Sequence, residues 1–417
     1  MSRNFRIVLH IGTEKTGTTT LQGYLHAAQE ELRKQGVAYY STPGRSEARA
    51  LAACALGDKA PDDFLKQQGI ETVAQRQALR ETVEKDFHEA MAAVADDAHT
   101  VVISSEHFHS RVRQPWQVQW LKELIEPWAS EIQVIVYLRP QVEMLTSFYS
   151  TALRNGEVRA LDAIGEKVCR PRNHFYNFKS LLSFWGAAFG RDNLMPRLFT
   201  SDDLVQQDIV ADFFEAIGMS TPERWDLNVP RKNESINPLG QALLRGLNQA
   251  HKRGEGWLPT DEYRPLARKV QQFFVGSGER LPFDQEKVLQ AAFDDSNQWI
   301  CEHWFGERER LFPPLTAGKP RPVTVSDEQL RLVEAVTTRL DQPDKKGVPE
   351  LNRCADYLRD AAVALEKADD LAAARKRMAL AHVIRPQGPF IARKLDEYEK
   401  QRGWLSRLKG WLPLGDA

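Results

Sequence analysis

The sequence predicts an α/β fold with a central parallel sheet, and three observations predict it. Short β-branched runs recur through the N-terminal half, the first of them ends in a glycine-bearing loop that opens a helix, and helical periodicity rather than hairpin turns separates the runs. With 417 residues, 42% hydrophobic and 27% charged, the chain is long enough for a large core and for more than one domain.

The run "RIVLHI" over 6–11 reads as a buried parallel strand ending at Gly12. After the loop, Leu21, Tyr24, Leu25, Ala28 and Leu32 fall at helical spacing, and Gly36 is a stop signal. "TVVISS" from Thr100 and "IQVIVYL" over 132–138 have the character of the first run. Further helical patterns lie at Val142, Leu145, Tyr149 and Ala152; at Phe175, Phe178, Leu182, Trp185 and Phe189; and at Val205, Ile209, Phe213 and Ile217. "NLMPRLF" from Asn193 reads as a strand that Pro196 confines to a sheet edge or bulge.

From about residue 320 the texture turns to Ala, Leu, Lys, Arg, Asp and Glu, which reads as an appended module of two or three packed helices. The expected division is therefore 1–320 for a catalytic domain and 321–417 for a helical module, with a hairpin of tetratricopeptide type but no visible repeat period. The tail "KQRGWLSRLKGWLPLGDA" sets Trp404, Leu405, Leu408, Trp411 and Leu412 on one helical face, with Arg402, Arg407 and Lys409 elsewhere. Docking on the protein's own surface is the first reading of that face, and peripheral contact with a membrane interface is the second.

The 56 basic and 57 acidic side chains nearly cancel, so no global field draws the chain to nucleic acid, and an anion site has to be built locally. Cys54, Cys169, Cys301 and Cys354 show no metal-binding spacing, which predicts buried reduced thiols and no zinc. With no leader pattern at the first residues and no run of about 18 apolar residues, the expectation is a soluble, cytoplasmic chain.

The stretch "HIGTEKTGTTT" over 10–20 is the candidate anion site. A loop between strand and helix aims backbone N–H groups and the positive end of the helix dipole at one point. Gly12 and Gly17 allow a tight turn, while Thr16, Thr18, Thr19 and Thr20 supply hydroxyls. An ATP-hydrolysing loop places its lysine directly after the second glycine; here that position is Thr18 and the lysine is Lys15. A nucleotide whose transferred group hangs on its 5′-phosphate suits such a loop.

"GTEKTGTTTLQ" resembles the 5′-phosphosulfate loop of the sulfotransferases that use 3′-phosphoadenosine 5′-phosphosulfate (PAPS), with its KxGTT core. "VIVYLRPQVEMLTSFYSTALRNG" is similar to that family's 3′-phosphate block: Arg139 ends a strand and Ser147 follows eight positions later on a helix. The resemblance covers roughly residues 5 to 240. It implies a P-loop-like three-layer fold and PAPS as co-substrate without a metal, with Lys15, Thr16, Gly17, Thr18, Thr19, Thr20, Arg139 and Ser147 holding it. Lys15 is also implied to stabilise the departing phosphate. "PRKNESINP" lies where the family often sets a basic segment, making Arg231 and Lys232 candidates, although Asn233 stands where a glycine is usual.

"VVISSEHFHS" sets Glu106, His107 and His109 past the end of a strand, the edge at which open α/β sheets bind ligands. Family members use Glu or His as base; Glu106 is the candidate base here, with the two histidines as competitors. Arg159, Arg170, Arg172, His174 and Tyr176 could meet an acidic or sugar-like acceptor. The implied function is direct sulfuryl transfer to a hydroxyl or amine of a carbohydrate or glycolipid. A P-loop kinase or ATPase, and a non-catalytic nucleotide-binding scaffold, are the alternatives.

Overall fold

A computed structural model describes residues 5–58, 60–219, 235–253, 258–317, 324–340 and 351–409, with side chains to residue 401. Its centre is a sheet of β1 (Phe5–His10), β2 (Val37–Tyr40), β3 (Thr100–Ser104), β4 (Ala129–Leu138) and β5 (Leu194–Leu198). The strand order is β2-β3-β1-β4-β5 and every pairing is parallel. The α/β class that the sequence predicts is the one observed. β5 occupies an edge, where Pro196 faces Val136 across the ladder and its missing N–H breaks no bond to an outer strand. β2 is a strand the sequence reading does not single out, because four residues, "VAYY", are too few to declare a period.

Both faces of the sheet are covered. On one, Val8, Val102, Ile135 and Tyr137 pack with Leu21, Leu25, Leu32, Phe213 and Phe214 from flanking helices. On the other, Ile7, Leu9, Val101, Ile103, Val134 and Val136 are equally buried, and the helix Phe178–Phe189 lies against β4 and β5. Burial on both faces is why these strands read as unbroken apolar runs instead of alternating ones. Each large apolar side chain so removed from water contributes about 1.5–3 kcal/mol.

The helices depart from the sequence periodicity in two places. The segment after the loop is divided at Ala28 into Thr18–Ala27 and Gln29–Lys34. The expected helix from Val205 begins only at Ile209, because Gln206 and Gln207 adopt φ of 53° and 58°. Asp208 then caps the new helix by accepting from Val210 and Ala211 N–H at 2.7 and 3.0 Å.

The chain forms two compact units whose sequences interleave: residues 1–145, 165–233 and 284–315 make the first, and 146–164, 234–283 and 316–417 the second. Segments 146–164 and 234–283 thus join the C-terminal helices instead of the sheet, unlike a division at residue 320. Among the described residues of the second unit four helices follow residue 320, Asp327–Leu340, Leu351–Lys367, Leu371–Ile384 and Pro389–Lys409, where the sequence suggested two or three. The middle two form a packed hairpin whose turn is closed by Asp370, accepting from Ala373 N–H at 3.0 Å. Among the described residues no helix is long and apolar enough to cross a membrane. Arg231, Lys232, Asn233, Trp411 and Leu412 lie outside the described residues, as do the side chains of Arg402, Trp404, Leu405, Arg407, Leu408 and Lys409. The four cysteines are buried and form no disulfide.

In the first unit one carboxylate ties β4, β5 and the helix Ile209–Ala216 together. Asp212, 1% exposed, accepts from the Tyr137 hydroxyl at 2.7 Å, Arg197 Nη2 at 2.8 Å and the Val205 N–H at 3.1 Å. Removing it takes the acceptor from the phenol and leaves the guanidinium with the more distant, exposed Glu215 at 3.9 Å. Asp212→Ala is therefore expected to lower unfolding stability by about 2–4 kcal/mol, read as a fall in the urea midpoint; a midpoint within error of the parent protein would contradict the assignment.

Candidate active site

Three segments leave the sheet at the same edge: the glycine loop after β1, residues 105–110 after β3, and Arg139 after β4. Because β1 lies between β3 and β4, these segments are neighbours, at the edge where open α/β sheets take their ligands.

The loop is held by a ladder that continues past the end of β1. Ile11 N–H donates to the Ile135 carbonyl at 3.0 Å, Tyr137 N–H to the Gly12 carbonyl at 2.7 Å, and Thr13 N–H to the Tyr137 carbonyl at 3.1 Å. The Thr13 hydroxyl adds a bond to that last carbonyl at 2.9 Å. Two residues further along β4's path, Arg139 turns back on the loop: Nη1 donates to the Lys15 carbonyl at 3.0 Å and Nε to Glu143 at 3.2 Å. The guanidinium lies 5.7 Å from the centre of the Phe199 ring. The structure therefore joins the two sequence blocks, 124 residues apart, through a charge-assisted bond.

Lys15 holds a φ of 71° and Gly17 one of 75°. Gly17 opens the helix Thr18–Ala27 with no side-chain cap; the Thr20 N–H already donates to the Gly17 carbonyl at 3.0 Å, and the Thr18 and Thr19 N–H groups, aimed back along the axis, keep their capacity for an anion. Thr18 is buried, Thr19 partly so, and Thr20 exposed. Thr16 differs from expectation: its hydroxyl donates to the Thr13 carbonyl at 2.6 Å and so fixes the turn. Ser147 lies on the helix Gln141–Arg154, within the part that belongs to the second unit.

Gly12 explains how the acid comes to lie beside the loop. Its φ is 105°, and a Cβ there would stand 3.2 Å from Glu106 Cα and 3.3 Å from the Glu14 nitrogen. Only glycine allows this approach. Around Glu106 the Gln22 amide donates to Oε2 at 2.6 Å, and Glu47 and His107 stand close by. Burial first, and the charge on Glu47 second, push the Glu106 carboxyl up to about 7, against the opposing influence of His107 and Gln22.

The two histidines are distinguished by their partners. His109 is fully buried; its Nε2 donates to the Phe175 carbonyl at 3.0 Å and its Nδ1 accepts from the Glu14 N–H at 3.3 Å. Both ring nitrogens are engaged, and burial, aided by His174, pushes its pKa to about 3. It is a neutral strut under the loop. His107 pairs with Glu47 at 3.4 Å, and Ser105 Oγ donates to the same carboxylate at 2.6 Å. Burial opposes a charge on His107, but Glu47 and Glu106 outweigh it and leave its pKa raised. Ligand atoms of Glu47, Glu106 and His107 lie within 4.8 Å of one another, a spacing that one divalent cation could bridge.

Of the residues expected to meet an acceptor, Arg159 is paired with Glu157 at 2.6 Å, and His174 donates to the His109 carbonyl at 2.9 Å and stacks on Phe184. Arg170 bonds the Glu166 carbonyl, and Tyr176 is buried. Sequence reasoning missed Glu47, which follows the unrecognised β2, and Gln22. The signal for Gln22 was present: it stands four residues after Thr18, on the face of the helix that opens at the loop.

No family model and no curated protein matches the chain. Among solved structures it is similar to the crystal structure of a sulfotransferase from Alicyclobacillus acidocaldarius, at 16% identity, covering 55% of this chain and 86% of that one with a TM-score of 0.33.

His10 and His109 both have a pKa of about 3 in the folded chain, against 6.5 ordinarily. As pH falls below 6.5 the unfolded state binds these protons first, so each histidine removes stability between pH 6.5 and about 3, with a limiting slope of about 1.4 kcal/mol per pH unit. His109→Gln preserves a donor and an acceptor without the titration. It is expected to flatten the stability curve over that window; an unchanged slope would mean that His109 is not held neutral.

Proposed function

We propose that the chain is a PAPS-dependent sulfotransferase that transfers the sulfuryl group directly to a hydroxyl or amine of an acceptor, with a carbohydrate or glycolipid as the acceptor class. One observation carries this reading: a single sheet edge joins an uncapped helix N-terminus, a guanidinium bonded to the loop's Lys15 carbonyl, and a carboxyl of raised pKa against Gly12. That set supplies anion binding and proton acceptance side by side. A nucleotide-hydrolysing reading has less support, since Thr18 stands where its lysine belongs.

In this reading the loop N–H groups with Thr18, Thr19 and Thr20 receive the 5′-phosphate, and Thr16 and Gly17 shape the turn that presents them. Arg139 receives the 3′-phosphate. Arg139 has a second task, bracing the loop through the Lys15 carbonyl. The acceptor oxygen or nitrogen forms the new bond to sulfur while the bond from sulfur to the 5′-phosphate oxygen breaks, its electron pair leaving with the nucleotide. Lys15 stabilises that departing charge, and Glu106 takes the acceptor's proton. No step is assigned to a metal. His107, paired with Glu47, and His109, with both nitrogens engaged, are less free to take a proton from an acceptor than Glu106.

Sulfur-labelled PAPS offered with polysaccharide, glycolipid and small phenolic acceptors tests the reaction, and calorimetry with adenosine 3′,5′-bisphosphate tests the nucleotide site. Lys15→Ala is expected to cut turnover about 10²- to 10³-fold while changing nucleotide affinity far less. Arg139→Ala should lose on both measures, because it grips the nucleotide and braces the loop. Bisphosphate that fails to bind the parent protein would end the proposal.

The rate should also report the Glu106 carboxyl. A base must be ionised to act, so kcat/KM is expected to rise with pH up to about 7 and level off above it. Glu106→Gln should lower turnover about 10²- to 10⁴-fold, leave bisphosphate affinity intact and abolish that acidic limb. A limb that survives the substitution would assign the proton to another group.

A further inference from the structure

Behind Glu106 runs a line of buried polar groups that the proposed chemistry does not use. Gln22 is 3% exposed, and Ser104 and His10 are fully buried. The Gln22 amide nitrogen donates to Glu106 Oε2 at 2.6 Å and to Ser104 Oγ at 3.3 Å. Ser104 Oγ lies 2.7 Å from His10 Nδ1. A buried amide or hydroxyl without partners costs free energy comparable to a lost hydrogen bond, and here each group is partnered by the next.

The line has a direction. An amide turned the other way would set its carbonyl oxygen against Glu106 Oε2, acceptor against acceptor, so the nitrogen must face the carboxylate. That nitrogen's second hydrogen goes to Ser104. Assigning the Ser104 proton to His10 Nδ1 then carries the same direction on to the histidine, where the line ends at a buried Nε2 that meets no hydrogen-bond partner among the described residues. Burial holds the His10 pKa at about 3, so its ring stays neutral and able to accept. The rings of Tyr137 and Phe213, each 5.8 Å away and edge-on at 74° and 67°, fix its plane.

We infer that Gln22 is a positioning residue for Glu106: it holds the carboxylate by Oε2, leaving Oε1 for an acceptor proton, while Ser104 and His10 hold the amide in the orientation this requires. The inference rests on Glu106 as the base of the proposed transfer. It adds a coupling that the transfer alone does not need. Gln22 belongs to the helix whose first turn faces the loop, so the spacing between anion site and base is set within one rigid element. The charged and titratable groups facing Glu106 from the other packed segments are Glu47, His107 and Tyr39, with Arg49 beyond Glu47. None of them is altered by changing Gln22.

The test observes Glu106 itself. Protein labelled with carbon-13 at the glutamate carboxyl is titrated by NMR, and the Glu106 resonance is assigned by its loss in Glu106→Gln. A hydrogen bond to the ionised form lowers a carboxyl pKa. Gln22→Leu is therefore expected to raise the Glu106 midpoint by about one to two pH units, the size of one bond to a charged group. Ser104→Ala, which leaves Gln22 in place but frees its amide to turn, should shift the midpoint in the same direction by less, and the double variant should exceed Gln22→Leu by little. An unmoved midpoint in folded Gln22→Leu would overturn the inference, as would a shift in Ser104→Ala alone. The readout needs no acceptor. If transfer from labelled PAPS is absent while the midpoints move as stated, the sulfotransferase reading falls and the Gln22–Glu106 coupling stands.

Discussion

Hydrogen bonds that continue the parallel ladder from β1 onto β4 are the constraint from which the site follows. A loop of glycines and threonines has no preference for one shape in isolation. Three backbone bonds, from Ile11, Tyr137 and Thr13, fasten its first residues to the neighbouring strand. The loop then inherits the rigidity of the sheet, and Arg139, carried past the end of β4, arrives where the Lys15 carbonyl is. On the other side, the absent side chain of Gly12 admits the backbone of Glu106. The left-handed turn at Lys15 persists because the surrounding bonds leave it no alternative.

Within the five residues 105–109 the same buried setting produces three electrostatic outcomes. Burial alone would neutralise every one of these titratable groups. His109 follows that rule, because its neighbours are a carbonyl and an amide. His107 departs from it, since two carboxylates stand near enough to raise its pKa in spite of burial. Glu106 lies between these cases: Glu47 repels its charge while His107 and Gln22 attract it, and the balance falls near neutrality. The division of tasks is thus made by partners, not by residue type or depth.

The legible parts of the molecule are those encoded locally. The loop could be read because glycine spacing and threonine content are contiguous, and Arg139 because it ends a run, "IQVIVYL", in which six of seven letters are apolar. Glu106 followed from a general rule about the edge at which open sheets bind. Illegible were features that depend on distant partners. Thr16 looks like the other threonines until Thr13 is seen to take its proton. Glu47 follows a strand of four residues and carries no pattern of its own. The helix expected from Val205 starts late because Gln206 and Gln207 turn left-handed, a choice no periodicity records. The interleaving of the two units was hidden for the same reason, since composition reports texture along the chain and not which segments meet.

That interleaving bears on how the protein is made. Six segments alternate between the units along the chain, three in each. A ribosome delivers β1 and the glycine loop almost at once, but the last stretch of their unit, 284–315, is complete only after some three-quarters of the polypeptide. Until then the first unit lacks the last of its three segments. Closing contacts over such separations is slow. The glycine loop is therefore synthesised first, in a unit whose last segment comes late, and incomplete states of this kind are the ones that cellular folding assistance shields.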